Sequence, residues 1–102
     1  MEISTSLNIV TITGNIKSVS DFQSIKNTLD SLKGSNSTIV MDITDSISIT
    51  SSVIGYLNKL VLKDGVDLNM KIGNKQLMHL IEDLNLVSVF KVRSRQWQSK
   101  VN

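Results

Sequence analysis

Three hydroxyl residues stand in a row at Thr50-Ser51-Ser52. They come directly before Val53, Leu57, Leu60 and Val61, with Ile54 beside them, a spacing that predicts an amphipathic helix. The start of a helix leaves N–H groups unpaired and carries a partial positive charge. A phosphate on a hydroxyl at that point is stabilised by both, and it brings roughly two negative charges to a neutral surface. Such a change makes or breaks a protein interface and needs no catalytic group on this chain. The same residues suit a plainer task, because Ser and Thr are favoured helix N-caps and Thr50 or Ser51 can serve only to cap. Asp42, which lies near the end of the preceding strand pattern, also has two readings. It positions a phosphate-bearing loop, or it hydrogen-bonds backbone groups at the strand end.

Other chemistry is poorly supplied. The chain has 102 residues, no cysteine and one histidine. No disulfide framework, thiolate nucleophile or cysteine metal site is available, and His79, flanked by Met78 and Leu80, has no second ligand nearby. No Ser/His/Asp or Cys/His set can be built credibly from a single histidine, so no enzyme and no cofactor is expected. Gly73-Asn74-Lys75 resembles a small anion-binding turn but lacks the Walker and dinucleotide-binding glycine patterns. The net charge is a mild +2, with Lys71, Lys75, Lys91, Arg93, Arg95 and Lys100 concentrated in the last third. Aromatic residues make up 4% of the chain, and Trp97 is the single tryptophan, too little for a base-stacking platform. No nucleic-acid partner is expected. The N-terminus does not read as a signal peptide, and no apolar run approaches the ~20 residues of a membrane span, so a soluble, cytoplasmic protein without membrane insertion is expected.

The elements that must carry these residues follow from the apolar period. Length and a 40% hydrophobic share predict one globular domain. Glu2 to Ser6 and Asn8 to Thr13 read as two short strands, a hairpin or bent pair ending at Gly14-Asn15. Ile3, Thr5, Leu7, Ile9, Thr11 and Thr13 share one parity, and Val10 and Ile12 the other. Phe22, Ile25, Leu29 and Leu32 mark a helix, with Ser20 as N-cap, Asp21 in the first turn and Gly34 at the end. Thr38 to Ile43 reads as a central strand buried on both faces. The hydroxyl-led helix stops at Asp64-Gly65, and Val66 to Ile72 is the next strand. Leu77, Leu80, Ile81 and Leu84 mark a third helix. Val87 to Val92 suggests an edge strand or extended connection, and a last helix is expected from about Arg95 to Val101, with Trp97 and Val101 inward. The alternation predicts an α/β fold with a small mixed, mostly parallel sheet of four to five strands and helices mainly on one face. If the strand ends share one edge, Asn15 and Lys17 lie near Ser51, as partner contacts or as ordinary turn residues.

The order of these features resembles the STAS domain of anti-sigma factor antagonists. That family reads V-x-D-hydrophobic and then D-S-S/T-G-hydrophobic-G-x-L. This chain has Val40-Met41-Asp42-Ile43 and then Thr50-Ser51-Ser52-Val53-Ile54-Gly55-Tyr56-Leu57. Gly14-Asn15-Ile16 stands where the family has a G-E-L turn, and Leu84-Asn85-Leu86-Val87-Ser88-Val89-Phe90 resembles its L-x-G-L-x-x-x-F segment. The resemblance covers nearly the whole chain. It implies a STAS-like domain that binds a partner serine kinase, itself an anti-sigma factor, while unphosphorylated. Phosphorylation blocks that binding and a serine phosphatase restores it. Carried over, the phosphoacceptor is Ser51, with Ser52 as second choice. Partner contacts are expected at Thr50, Ser52, Ile54 and Gly55, joined by Asn15 and Lys17. Thr50 stands in place of the family's Asp, and Val53 in place of its first Gly. The alternative is a STAS-like structural subunit of a transporter or signalling complex that works without phosphorylation.

Overall fold

The computed structural model describes residues 1–95. Eight elements follow one another: β1 (Glu2–Ser6), β2 (Ile9–Thr13), α1 (Val19–Lys33), β3 (Thr38–Ile43), α2 (Ser51–Leu62), β4 (Asp67–Ile72), α3 (Lys75–Asp83) and β5 (Val92–Ser94). The five strands form one sheet in the order β1-β2-β3-β4-β5. β1 and β2 are antiparallel and every other neighbouring pair is parallel. This is the expected α/β class with a mostly parallel sheet. The segment from 96 onward, with Trp97, Val101 and the expected last helix, lies outside the described residues.

The strand order explains where the helices go. From β2 to β5 each new strand is added on the same side of the last. Right-handed crossovers in a sheet that grows in one direction all land on one face. That face holds Val10, Ile12, Ile39, Met41, Ile43, Leu68, Met70 and Ile72, all buried. They share one core with Ile25 and Leu29 of α1, Leu57 and Leu60 of α2, and Leu77 and Ile81 of α3. The opposite face carries no helix among the described residues.

This arrangement corrects the reading of β3 as buried on both faces. Its burial alternates, with Ile39, Met41 and Ile43 inside and Thr38, Val40 and Asp42 half-buried on the open face. An apolar Val40 made the run look continuous, although no helix covers that face among the described residues. The hairpin corrects a second reading. β1 and β2 are joined across Leu7-Asn8, and Ile3 pairs with Ile12, Ser6 with Ile9. A two-residue connection makes odd residues on one strand face the same side as even residues on the other, so Ile3 joins Ile12 and not Ile9. Leu7 takes a left-handed φ of 57° to close the turn.

Helix α1 is capped by Ser18, not Ser20. The Ser18 hydroxyl accepts from the Asp21 N–H at 3.0 Å, and the Asp21 carboxylate accepts in return from the Ser18 N–H at 3.2 Å. This reciprocal capping box starts the helix one residue after the cap. The expected strand over Val87 to Val92 lies later. Residues 87–91 form turns, ending at Lys91 with φ 49°, and pairing with β4 begins at Val92.

Among the described residues no helix is long and apolar enough to cross a membrane.

Candidate functional site at the start of α2

Parallel strands β2, β3 and β4 end at one edge of the sheet, so the connections that follow them meet there. The connection from β3 to α2 covers 44–50, and that from β2 to α1 covers 14–18. Polar contacts join the two. Thr44 donates its N–H and hydroxyl to the Ile12 carbonyl at 3.0 and 3.2 Å. The Gly14 N–H donates to the Asp45 carboxylate at 2.8 Å, and the Ser46 hydroxyl donates to the Gly14 carbonyl. The Ile47 N–H donates to the Asn15 side-chain oxygen at 3.1 Å. The Gly14 N–H, followed by the Thr44 hydroxyl, holds the Asp45 carboxyl below its ordinary range.

Ser46 is fully buried, the buried polar residue among the described ones. Loops are normally solvated because their backbone groups need partners. Here the partners are supplied by Asp45, Ser46 and Asn15. The clasp also sets the sides of the loop: Ile49 is tucked into the core at 8% exposure, while Ile47 stands 42% exposed.

Helix α2 then begins. Thr50 is the N-cap, in extended conformation at φ −85° and ψ 156°, and its hydroxyl accepts from the Val53 N–H at 3.3 Å. Val53, one turn in, is completely buried, so the first turn is anchored from beneath. With Thr50 as the cap, the Ser51 and Ser52 hydroxyls are not needed to start the helix. Both residues are exposed and neither side chain makes a hydrogen bond among the described residues. No acidic residue lies in the first turn.

The second anchor of α2 is Tyr56. Its hydroxyl donates to Asp30 on α1, its ring meets Phe22 edge-to-face at 6.5 Å between centroids, and the Lys26 ammonium lies 5.8 Å from the ring centroid. The Tyr56 hydroxyl, and behind it Lys26, hold Asp30 down at about 2. Burial, with the Asp30 carboxylate beside it, pushes the Tyr56 phenol well above its ordinary value.

Between the first turns of α1 and α2 lies a shallow hollow of about 310 Å³, lined in part by Lys17, Val19, Phe22, Thr50 and Ser52. Of the residues expected at a partner surface, Lys17, Thr50 and Ser52 therefore come together. Ser51 is exposed on the same first turn but does not line the hollow. Asn15 acts through its clasp on Ile47. Ile54 is half-buried and Gly55 exposed, one turn further along α2. Nothing lies within 4 Å of where a Gly55 side chain would begin.

Asp42 does not join this group. It sits on the open face of β3, away from the helices, and takes a two-pronged contact from Arg95, Nε at 2.8 Å and Nη2 at 3.3 Å. Among the described residues its carboxylate bonds no backbone group, and its partner is Arg95 alone. The odd parity that buries Met41 and Ile43 turns Asp42 the other way. Val19 and Phe22 also line the hollow, although the sequence marks Phe22 only as part of the apolar stripe of α1 and gives Val19 no role. Val19 is 77% exposed although it opens α1. Alternation gave no signal for this loop: Ile47 and Ile49, two residues apart, would share a side in an extended strand, yet Ile47 is exposed and Ile49 buried.

Comparison with protein-family models, with curated proteins and with solved structures finds no match for the chain.

Proposed function

We propose that this protein is an interaction switch of the anti-sigma factor antagonist type. In this reading it binds a serine kinase that is also an anti-sigma factor, is controlled by phosphorylation at Ser51, and is reset by a serine phosphatase. The observation that carries the proposal is the division of labour at the start of α2. Thr50 caps the helix, while Ser51 stays exposed with an uncommitted hydroxyl beside unpaired helix N–H groups. A phosphate there gains the helix-end field without displacing a structural hydrogen bond.

The surroundings support a protein surface. Val19, the first residue of α1, and Ile47, on the connection before α2, are exposed apolar residues next to the site, and Lys17, Thr50 and Ser52 line the hollow. Gly55 weakens a helix by roughly 0.5–1 kcal/mol relative to Ala, and no neighbour within 4 Å demands it. A glycine with no internal reason suits close approach by a partner.

The test is incubation with the cognate kinase and ATP, followed by mass spectrometry. The wild-type chain should gain a single phosphate, Ser51→Ala should gain none, and Ser52→Ala should still be modified. An unmodified wild type, or equal modification of Ser51→Ala, overturns the proposal. The constitutive-subunit reading draws on Thr50 standing where the family has Asp. Ser51→Asp separates the two, since it should disrupt partner binding in a switch and leave it intact in a constitutive subunit whose interface lies elsewhere.

A further inference from the structure

The open face of the sheet concentrates charge along β4 and β5. Asp67, Asn69 and Lys71 point to this face because Leu68, Met70 and Ile72 alternate with them into the core. Lys71 has Asp42 as its register partner on β3 and Arg93 on β5. Six charged groups share the region: Asp42, Asp67, Lys71, Lys91, Arg93 and Arg95. Both carboxylates are already taken. Asp42 is held by Arg95 at 2.8 Å, and Asp67 accepts from the Lys91 ammonium at 2.6 Å. Lys71 and Arg93 are left side by side on adjacent strands, with no ion pair or side-chain hydrogen bond among the described residues. Like charges directly across two strands destabilise a sheet. Asp42 flanks Lys71 on β3 but is already bonded to Arg95, so it offsets the repulsion only in part and a further anion against the pair would relieve the rest.

A small hollow of about 170 Å³ lies at this position, lined by Val40, Asn69, Met70, Lys71, Lys91 and Arg93. We propose that it binds the phosphate monoester group of a small soluble ligand. Four cations against two carboxylates leave an excess of two positive charges. A phosphate monoester carries about −1.5 to −2 at neutral pH and matches that excess, whereas a carboxylate or a phosphodiester carries a single charge. Arg93 offers a planar fork and Lys71 a point charge, the two usual ways of holding phosphate oxygens. The Asn69 amide, bonded to Asp67 only at 3.4 Å, has a further N–H to give. No aromatic side chain lines the hollow to stack a base, which favours a small ligand over a nucleic-acid strand. This inference is independent of the switch at Ser51.

The test is titration of the ¹⁵N-labelled full chain with inorganic phosphate, at ionic strength held constant with sodium chloride. Saturable amide shifts should be confined to residues 69–71 and 91–93. Binding should be tighter at about pH 8 than at about pH 5, where phosphate loses its second charge. Glycerol 3-phosphate should move the same amides, and dimethyl phosphate, with its single charge, should bind about tenfold more weakly or less. Lys71→Gln and Arg93→Gln should each weaken phosphate binding about fivefold or more, and Arg93→Gln should raise the thermal midpoint of the ligand-free chain, because it removes the like-charge neighbour of Lys71. Vesicles of phosphatidylcholine containing phosphatidic acid should not retain the chain. Linear or dispersed shifts, equal binding of dimethyl phosphate, unchanged affinity in both variants, or vesicle retention that phosphate does not compete would each overturn the proposal.

Discussion

The Asn15 side-chain oxygen accepts the N–H of Ile47 at 3.1 Å, across 32 residues of chain, and so ties the connection before α1 to the one that feeds α2. Beside it, the buried Ser46 hydroxyl closes on the Gly14 carbonyl. These contacts fix the path by which Thr50 arrives at its capping position. They lie in loops, where an isolated segment has no preferred conformation, so their effect on α2 is mechanical.

Loss of the clasp should cost stability in proportion to burial. Ser46→Ala leaves the Gly14 carbonyl without its partner and should destabilise by about 1–3 kcal/mol. Asn15→Ala acts at an exposed position and should cost about 0.5–1.5 kcal/mol. Urea denaturation followed by circular dichroism measures both. Equal losses in the two variants would contradict the assignment of Ser46 as the inner fastening.

Two glycines should respond in opposite directions. A Cβ on Gly73 would lie 2.0 Å from the Thr44 carbonyl oxygen, a backbone atom that cannot step aside. Gly73→Ala should therefore cost about 1–3 kcal/mol or more. Gly55 sits mid-helix with open space beside it, and Gly55→Ala should stabilise by about 0.5–1 kcal/mol. If α2 is the partner surface, the same stabilised Gly55→Ala chain should bind its kinase more weakly in a calorimetric titration. Unchanged affinity would move the interface off this turn.

The link between Tyr56 and Asp30 predicts a pH dependence. The folded value of Asp30, about 2, is below its ordinary value of 3.8, with the Tyr56 hydroxyl as the first cause and Lys26 next. A depressed carboxyl contributes stability above its unfolded value and loses it as pH falls through the folded one. That contribution should be complete above about pH 4 and fade toward about pH 2. In Tyr56→Phe, carbon-detected NMR should show the Asp30 midpoint moving up toward 3.8, and the stability difference from wild type should shrink over the same acid range. A midpoint that does not move would show that the hydroxyl is not what holds Asp30 ionised.

Much of the architecture was legible because it rests on local period. Phe22, Ile25, Leu29 and Leu32 place α1, and Leu77 and Ile81 place α3, since a helix must turn one apolar stripe inward. The cap was less legible. Ser18 and Ser20 are both acceptable residues, and only the return bond from Asp21 selects Ser18. The reach of the candidate site was less legible still. Thr50, Ser51 and Ser52 stand out in the chain, but Lys17 and Val19 are more than 30 positions away and join them only because β2 and β3 are parallel neighbours.

By itself the sequence determined the class of fold, the order of its elements and the hydroxyl-rich start of α2, because spacing and capping preference act over a few residues. The tertiary structure decided which side of the sheet each residue meets. One-directional strand order and right-handed crossovers put α1, α2 and α3 on one face, and that sent Asp42 to Arg95 and left Lys71 beside Arg93 on the other. It also gave the capping role to Thr50 and left Ser51 free, since the clasp between the two loops brings the chain into α2 with Thr50 extended and Val53 over the core.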